Sequence, residues 1–214
     1  MIFREIQKNN KGQNLIELVV AISIILIGVV STLVLTVATI RGGKASEMQT
    51  IAGNLAREGI EVVKQHRYNN WLKIESNNLS FVNWDDGLYS ASYENNLIVE
   101  FDPTPPASWS LNFNIDTLTR VECLLDGDNN CLLYIKDGIY SHDPTGVTTS
   151  FHRVLTINPI CLKPDASEEM VSTSHDCLGV DDEKIGLQVI SEVSWQERNN
   201  WTSVIFEDHI YNWK

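Results

Sequence analysis

Glu17, four cysteines and a handful of acidic clusters are the side chains whose types and spacing could do chemistry in this chain. Glu17 stands directly before 23 uncharged residues, Leu18 to Ile40. A carboxylate carried to the centre of a bilayer costs up to about 3 kcal/mol, so it needs either a compensating cation or a place at the interface, where a helix N-terminus favours negative charge. Cys123, Cys131, Cys161 and Cys177 allow three pairings. The local pairs Cys123–Cys131 and Cys161–Cys177 are expected, each contributing about 2–4 kcal/mol, with free buried thiols as the alternative. No C-x-x-C spacing favours zinc.

Asp126-Gly127-Asp128-Asn129-Asn130, followed by Asp137, partly imitates an EF-hand calcium loop. Cys131 stands where that loop needs Gly, so a polar hairpin loop closed by a disulfide is expected instead. His66, His142, His152, His175 and His209 are scattered and suggest no metal site. His175-Asp176-Cys177 resembles the parts of a thiol protease, but sequence neighbours rarely form a nucleophile–base pair, and the cysteine serves better in a disulfide. There is no G-x-S-x-G, P-loop or H-E-x-x-H. No catalytic residue, metal or cofactor is therefore expected, and the chain is not read as an enzyme. Asp85-Asp86 and Asp181-Asp182-Glu183 read as solvated loops. Asn78-Leu79-Ser80 and Asn200-Trp201-Thr202 match the glycosylation sequon, which often occurs by chance.

The elements that position these groups come in two materials. Over 214 residues the composition is ordinary, 43% hydrophobic and 21% charged, with a net charge of −12. Residues 1–68 carry 8 basic and 5 acidic side chains, whereas residues 69–214 carry 8 and 23, a net of −15. That acidity disfavours nucleic acid as a direct partner, because phosphate binding needs clustered Lys and Arg. Recurring apolar and aromatic residues exclude low-complexity disorder. As a helix, residues 18–40 would extend roughly 35 Å, enough to cross a hydrocarbon core of about 30 Å. Fourteen of those 23 residues are β-branched, which weakens a helix in water. In lipid the backbone must satisfy itself, so helix is the expected state there. A buried core helix is the alternative, but such helices are rarely this long and apolar on every face. Arg4, Lys8 and Lys11 precede the run and no A-x-A pattern follows it, unlike a cleaved secretory signal.

Lys11-Gly12 followed by Leu15-Ile16-Glu17 and an apolar helix resembles the class III signal of type IV prepilins and type II secretion pseudopilins. The resemblance covers about 30 residues. It implies that a prepilin peptidase cuts between Gly12 and Gln13 and methylates the new N-terminus at Gln13. Glu17 would then be the fifth mature residue, pairing during filament assembly with the N-terminal amine of a neighbouring subunit. The family usually begins its mature chain with Phe or another apolar residue, whereas Gln13 and Asn14 are polar. An N-terminal Gln13 could instead cyclise to pyroglutamate, which would remove the amine. Ala56-Arg57-Glu58-Gly59-Ile60-Glu61 also resembles a helix segment of minor pilins and minor pseudopilins, which points to a minor subunit.

Arg41-Gly42-Gly43-Lys44 ends the apolar run, and the two glycines mark a hinge. Met48, Ile51, Ala52, Leu55, Gly59, Val62 and Val63 then recur at spacings of three and four, an amphipathic stripe that should dock on the domain that follows. Asn69-Asn70 reads as its stop. Beyond Trp71 the pattern changes to period two. Strands are expected at Leu88–Tyr93 and Leu97–Phe101 around Asn95-Asn96, at Leu132–Ile135 and Ile139-Tyr140 around Asp137-Gly138, and at Phe151–Ile157. Two more are expected at Val189–Trp195 and Trp201–Ile210, and Pro103, Pro105 and Pro106 mark a loop.

The expected fold is α+β and pilin-like: a long N-terminal helix followed by a mostly antiparallel sheet. Its parts are a leader at 1–12, a helix at 13–68 with a membrane segment at 18–40, and an exported head at 69–214. The resemblance implies a subunit of a pilus-like or secretion-like filament. It would be anchored once in the inner membrane with its head outside the cytoplasm, then carried into a filament or to the cell surface. Its implied partners are the prepilin peptidase, other subunits along the helix, a membrane platform with an assembly ATPase, and lipid. A membrane-anchored binding domain that never polymerises is the alternative, and a tethered hydrolase a more distant one.

Overall fold

The computed structural model describes residues 11–77, 82–89, 95–113, 123, 130–171, 177, 183–197 and 200–212, with side chains from Leu15 onward. One helix, α1, runs over Lys11–Asn77. Eight strands follow: β1 Asn96–Asp102, β2 Ser108–Asn112, β3 Leu132–Lys136, β4 Ile139–Ser141, β5 Val147–Leu162, β6 Glu168–Met170, β7 Glu183–Glu197 and β8 Asn200–Tyr211. All described pairings are antiparallel. The layout is thus a long apolar N-terminal helix followed by an antiparallel sheet. The chain divides into two units, Met1–Met48 and Gln49–Lys214.

Strand β5 organises the sheet. β7 pairs with it from Phe151 to Leu162, and β8 continues outward from β7. On its other side β5 meets β3 and β1, and β1 carries β2. The β3–β4 hairpin turns at Asp137-Gly138, whose φ values of 54° and 82° are the left-handed pair that a two-residue turn of type I′ requires.

Within the second unit, α1 lays its stripe on this sheet. Ala52, Leu55, Ala56, Ile60, Val62 and Val63 are buried at the expected spacing, against Leu97, Leu155, Leu187 and Val189. Each buried Val, Leu or Ile contributes about 1.5–3 kcal/mol. Gly59 sets the closest approach: a Cβ there would stand 2.9 Å from Ser191 Oγ and 3.0 Å from a Leu155 methyl.

Three expectations are corrected. Gly42-Gly43 do not interrupt α1, and a Cβ added at either would meet no packing partner within 4 Å. Asn69-Asn70 do not stop it, because the Asn70 side-chain amide donates to Trp84 O at 3.2 Å and Asp86 O at 2.8 Å. Held by those partners, Asn70 stays helical and α1 runs on to Asn77. Leu88 is not in a strand. It closes a turn with its N–H on Asp85 O at 3.0 Å, and its side chain is fully buried in the core. Tyr89 is not in a strand either, and residues 90–93, the rest of that expected strand, lie outside the described residues. β1 pairs with β2 across the proline loop and with β5.

The other strands lie where expected, several of them longer. β2 and β6 are not among the expected strands: Glu168–Met170 is three exposed residues, and Ser108–Asn112 is only five residues long, although its Trp109 and Leu111 alternate with exposed serines.

Candidate functional site

The apolar half of α1 is exposed throughout. Every described residue from Leu15 to Ile40 is exposed, and the segment is long and apolar enough to cross a membrane. Its five hydroxyls bond within the helix: Ser23 donates to Val19 O at 2.7 Å, Ser31 to Ile27 O at 2.7 Å and Thr32 to Gly28 O at 2.8 Å. Thr36 donates to Thr32 O at 2.8 Å and Thr39 to Leu35 O at 2.9 Å. No hydroxyl donor is left to be desolvated alone, which suits hydrocarbon surroundings. Glu17 is exposed at the start of this surface and has no ion-pair or hydrogen-bond partner among the described residues. Gly12 and Gln13 lie in the first turns of α1.

In the sheet unit, polar anchors fix α1 in place. His66 Nε2 lies 3.1 Å from Trp109 O on β2, and Arg67 donates to Tyr211 O on β8 at 3.2 Å. Lys64 pairs with Asp208 at 2.7 Å, and the Lys64 ammonium beside it holds the Asp208 carboxyl below its usual range. The deepest anchor is Arg153, fully buried in the centre of β5. Its Nη1 donates to Glu58 Oε1 at 3.0 Å and to Leu55 O at 3.3 Å. Nε and Nη2 have no hydrogen-bond partner among the described residues. Burial pulls the Arg153 pKa down against the opposing charge of Glu58, yet a guanidinium stays charged at any ordinary pH.

His142, just after β4, is half-buried, with its ring Nε2 enclosed. Burial first, then the charge of Arg153, lowers its pKa to about 3. Its Nδ1 lies 3.1 Å from Leu132 O and Nε2 is buried without a partner, which assigns the neutral tautomer with the proton on Nδ1. The unfolded chain takes up this proton near pH 6.5 while the folded chain does not until about 3. The stability that the neutral ring contributes is therefore complete above about 6.5 and is lost as pH falls towards 3. Urea midpoints of the full chain in detergent should show roughly 2 kcal/mol more loss between pH 6.5 and 5 for the natural protein than for His142→Gln. Parallel pH profiles would contradict the assignment.

The four cysteines form Cys123–Cys131 and Cys161–Cys177, leaving no free thiol. Cys123 and Cys131 are buried with Ile98 and Val154. Cys177 is thus engaged in a bond, while His175 and Asp176 lie outside the described residues. So do Asp126–Asn129 of the calcium-like loop, Asp181-Asp182, the first sequon at 78–80, and residues 1–10 of the expected leader. Among the described residues no group of His, Cys, Asp and Glu could hold a metal ion. Asp85 corrects another expectation. It is not a solvated acid but is 3% exposed and paired with Lys184 at 2.5 Å, an ammonium that also lies 4.0 Å from the Tyr89 ring centroid.

Arg153 and Glu58 were missed as a pair. The signal lay in the alternation of β5, where Phe151, Leu155 and Ile157 share one face and Arg153 occupies a core position on it. No family model, curated protein or solved structure matches this chain.

Proposed function

We propose that this chain is a minor pilin or pseudopilin, made as a membrane precursor, cut after Gly12 and assembled through its apolar helix into a pilus-like or secretion-like filament. The observation that carries this is Glu17. It is a carboxylate at the head of a wholly exposed apolar helix, with no partner among the described residues of its own chain. Such a charge enters lipid at low cost only when a cation compensates it. The new N-terminal amine of a neighbouring subunit, freed by cleavage before Gln13, has the right sign. The self-bonded hydroxyls of residues 18–40 and the all-round apolar surface suit a helix that exchanges lipid neighbours for helical ones. Two disulfides in the sheet unit suit an oxidising compartment. The prepilin peptidase, an assembly ATPase with its membrane platform, and other subunits are the partners this role requires.

Glu17→Ala tests the proposal. In cells that assemble the filament, the variant should be made, inserted and cleaved normally, yet its amount in sheared filaments should fall at least tenfold. Undiminished incorporation would overturn it. Finding the natural chain in the membrane fraction and never in filaments would favour an anchored domain that does not polymerise.

A further inference from the structure

We infer that the outer edge of β8, from Trp201 to Glu207, is a docking edge for an extended, basic strand of a partner protein. The Asn212 N–H donates to Ile185 O at 2.7 Å. Because β7 and β8 pair without a register shift, residues 202, 204, 206, 208 and 210 turn their backbone groups towards β7. The odd-numbered residues, from Trp201 to Tyr211, turn theirs outward. One end of this edge is closed. Tyr211 O accepts from Arg67, and the His209 N–H is occupied by Asp208 Oδ1 at 2.8 Å. The other end is open: the outward N–H and C=O groups of Trp201, Ser203, Ile205 and Glu207 have no backbone partner among the described residues.

Long open edges invite pairing, and proteins commonly blunt them with charge, proline or a bulge. This stretch holds no proline and no bulge, and Ile205 on it is 49% exposed. Seven residues of strand cover roughly 23 Å, enough to register one extended segment.

Charge selects the occupant. On β7 and β8, Glu183, Glu197 and Glu207 are exposed acids, while Asp208 is paired with Lys64, Glu192 is buried, and the cation on these strands, Lys184, is engaged by Asp85. The nearby cations on α1 are already engaged, Lys64 by Asp208 and Arg57 by the Phe206 ring at 5.2 Å. A second copy would bring another acidic surface, since residues 69–214 carry −15. A strand bearing Lys or Arg offers both the missing hydrogen bonds and the opposite charge.

The test uses the full chain in detergent and a seven-residue peptide of alternating Lys and Val. The peptide should slow deuterium exchange in the 200–208 segment at least fivefold. An acidic Glu/Val peptide, or a Lys/Val peptide N-methylated on its pairing edge, should bind at least tenfold more weakly. Ile205→Pro should lose the peptide to the same degree. Its N–H faces away from β7, so proline there removes no ladder bond of the fold. Should that variant not fold, the N-methylated peptide still decides. Equal binding of the acidic or N-methylated peptide would overturn the inference, as would an absence of protection. Protection that rises with protein concentration alone would show a second copy on the edge and overturn the basic partner.

Discussion

Glu58→Ala is expected to destabilise the sheet unit by about 3–5 kcal/mol, while Arg153→Met costs no more than about 1.5 kcal/mol. The asymmetry follows from burial. Arg153 is fully buried, whereas the Glu58 side chain is 37% exposed. Removing the carboxylate strands a guanidinium in the interior with only the Leu55 carbonyl, at 3.3 Å, to compensate it. Removing the guanidinium instead leaves a carboxylate that can rotate into water, and methionine refills the volume of the arginine stem. The double variant should be about as stable as Arg153→Met alone, because the penalty of Glu58→Ala exists only while Arg153 is present. Urea midpoints of the four proteins, at pH 7.5 and equal slope, make the comparison. If Arg153→Met proves as costly as Glu58→Ala, the pair is a net stabiliser rather than a buried charge held in place by its partner.

The sequence made some of this plain and hid the rest for physical reasons. The stripe from Ala52 to Val63 announces a docked helix because burial on one face of a helix imposes spacings of three and four. β7 and β8 are legible because each is long and keeps period two. Asp137-Gly138 is legible because few residues accept two successive positive φ values. Asn70 misled because its amide, which in isolation favours ending a helix, is bound by the 84–86 turn, a partner that no local rule supplies. Leu88 misled in the same way: its apolar character serves the core from within a turn. Asp85 looked solvated because its cation, Lys184, lies almost a hundred residues away. Glu17 draws notice in the sequence because an acid beside an apolar run is costly in lipid, and the structure shows it exposed at the start of that run.

The second large effect concerns that N-terminal segment. If the chain is a prepilin, Gly12 is the residue the peptidase reads, and a β-branched side chain there should abolish cleavage rather than slow it. Gly12→Val should therefore leave all of the protein uncut, with no change in the sheet unit, because residues 1–48 and 49–214 form separate units. Uncut subunits retain residues 1–12 and lack a free amine beside Glu17, so they should also be missing from filaments. The loss of assembly should match that of Glu17→Ala, although the two variants differ in their cleavage.

The most direct measurement is the intact mass of the purified chain after co-production with an active prepilin peptidase, alongside Gly12→Val and a peptidase-free control. The account predicts that the natural chain loses residues 1–12 and begins at Gln13, whether free, methylated or cyclised, while both controls remain whole. A full-length chain in the presence of active peptidase, or a new N-terminus anywhere other than Gln13, would contradict it.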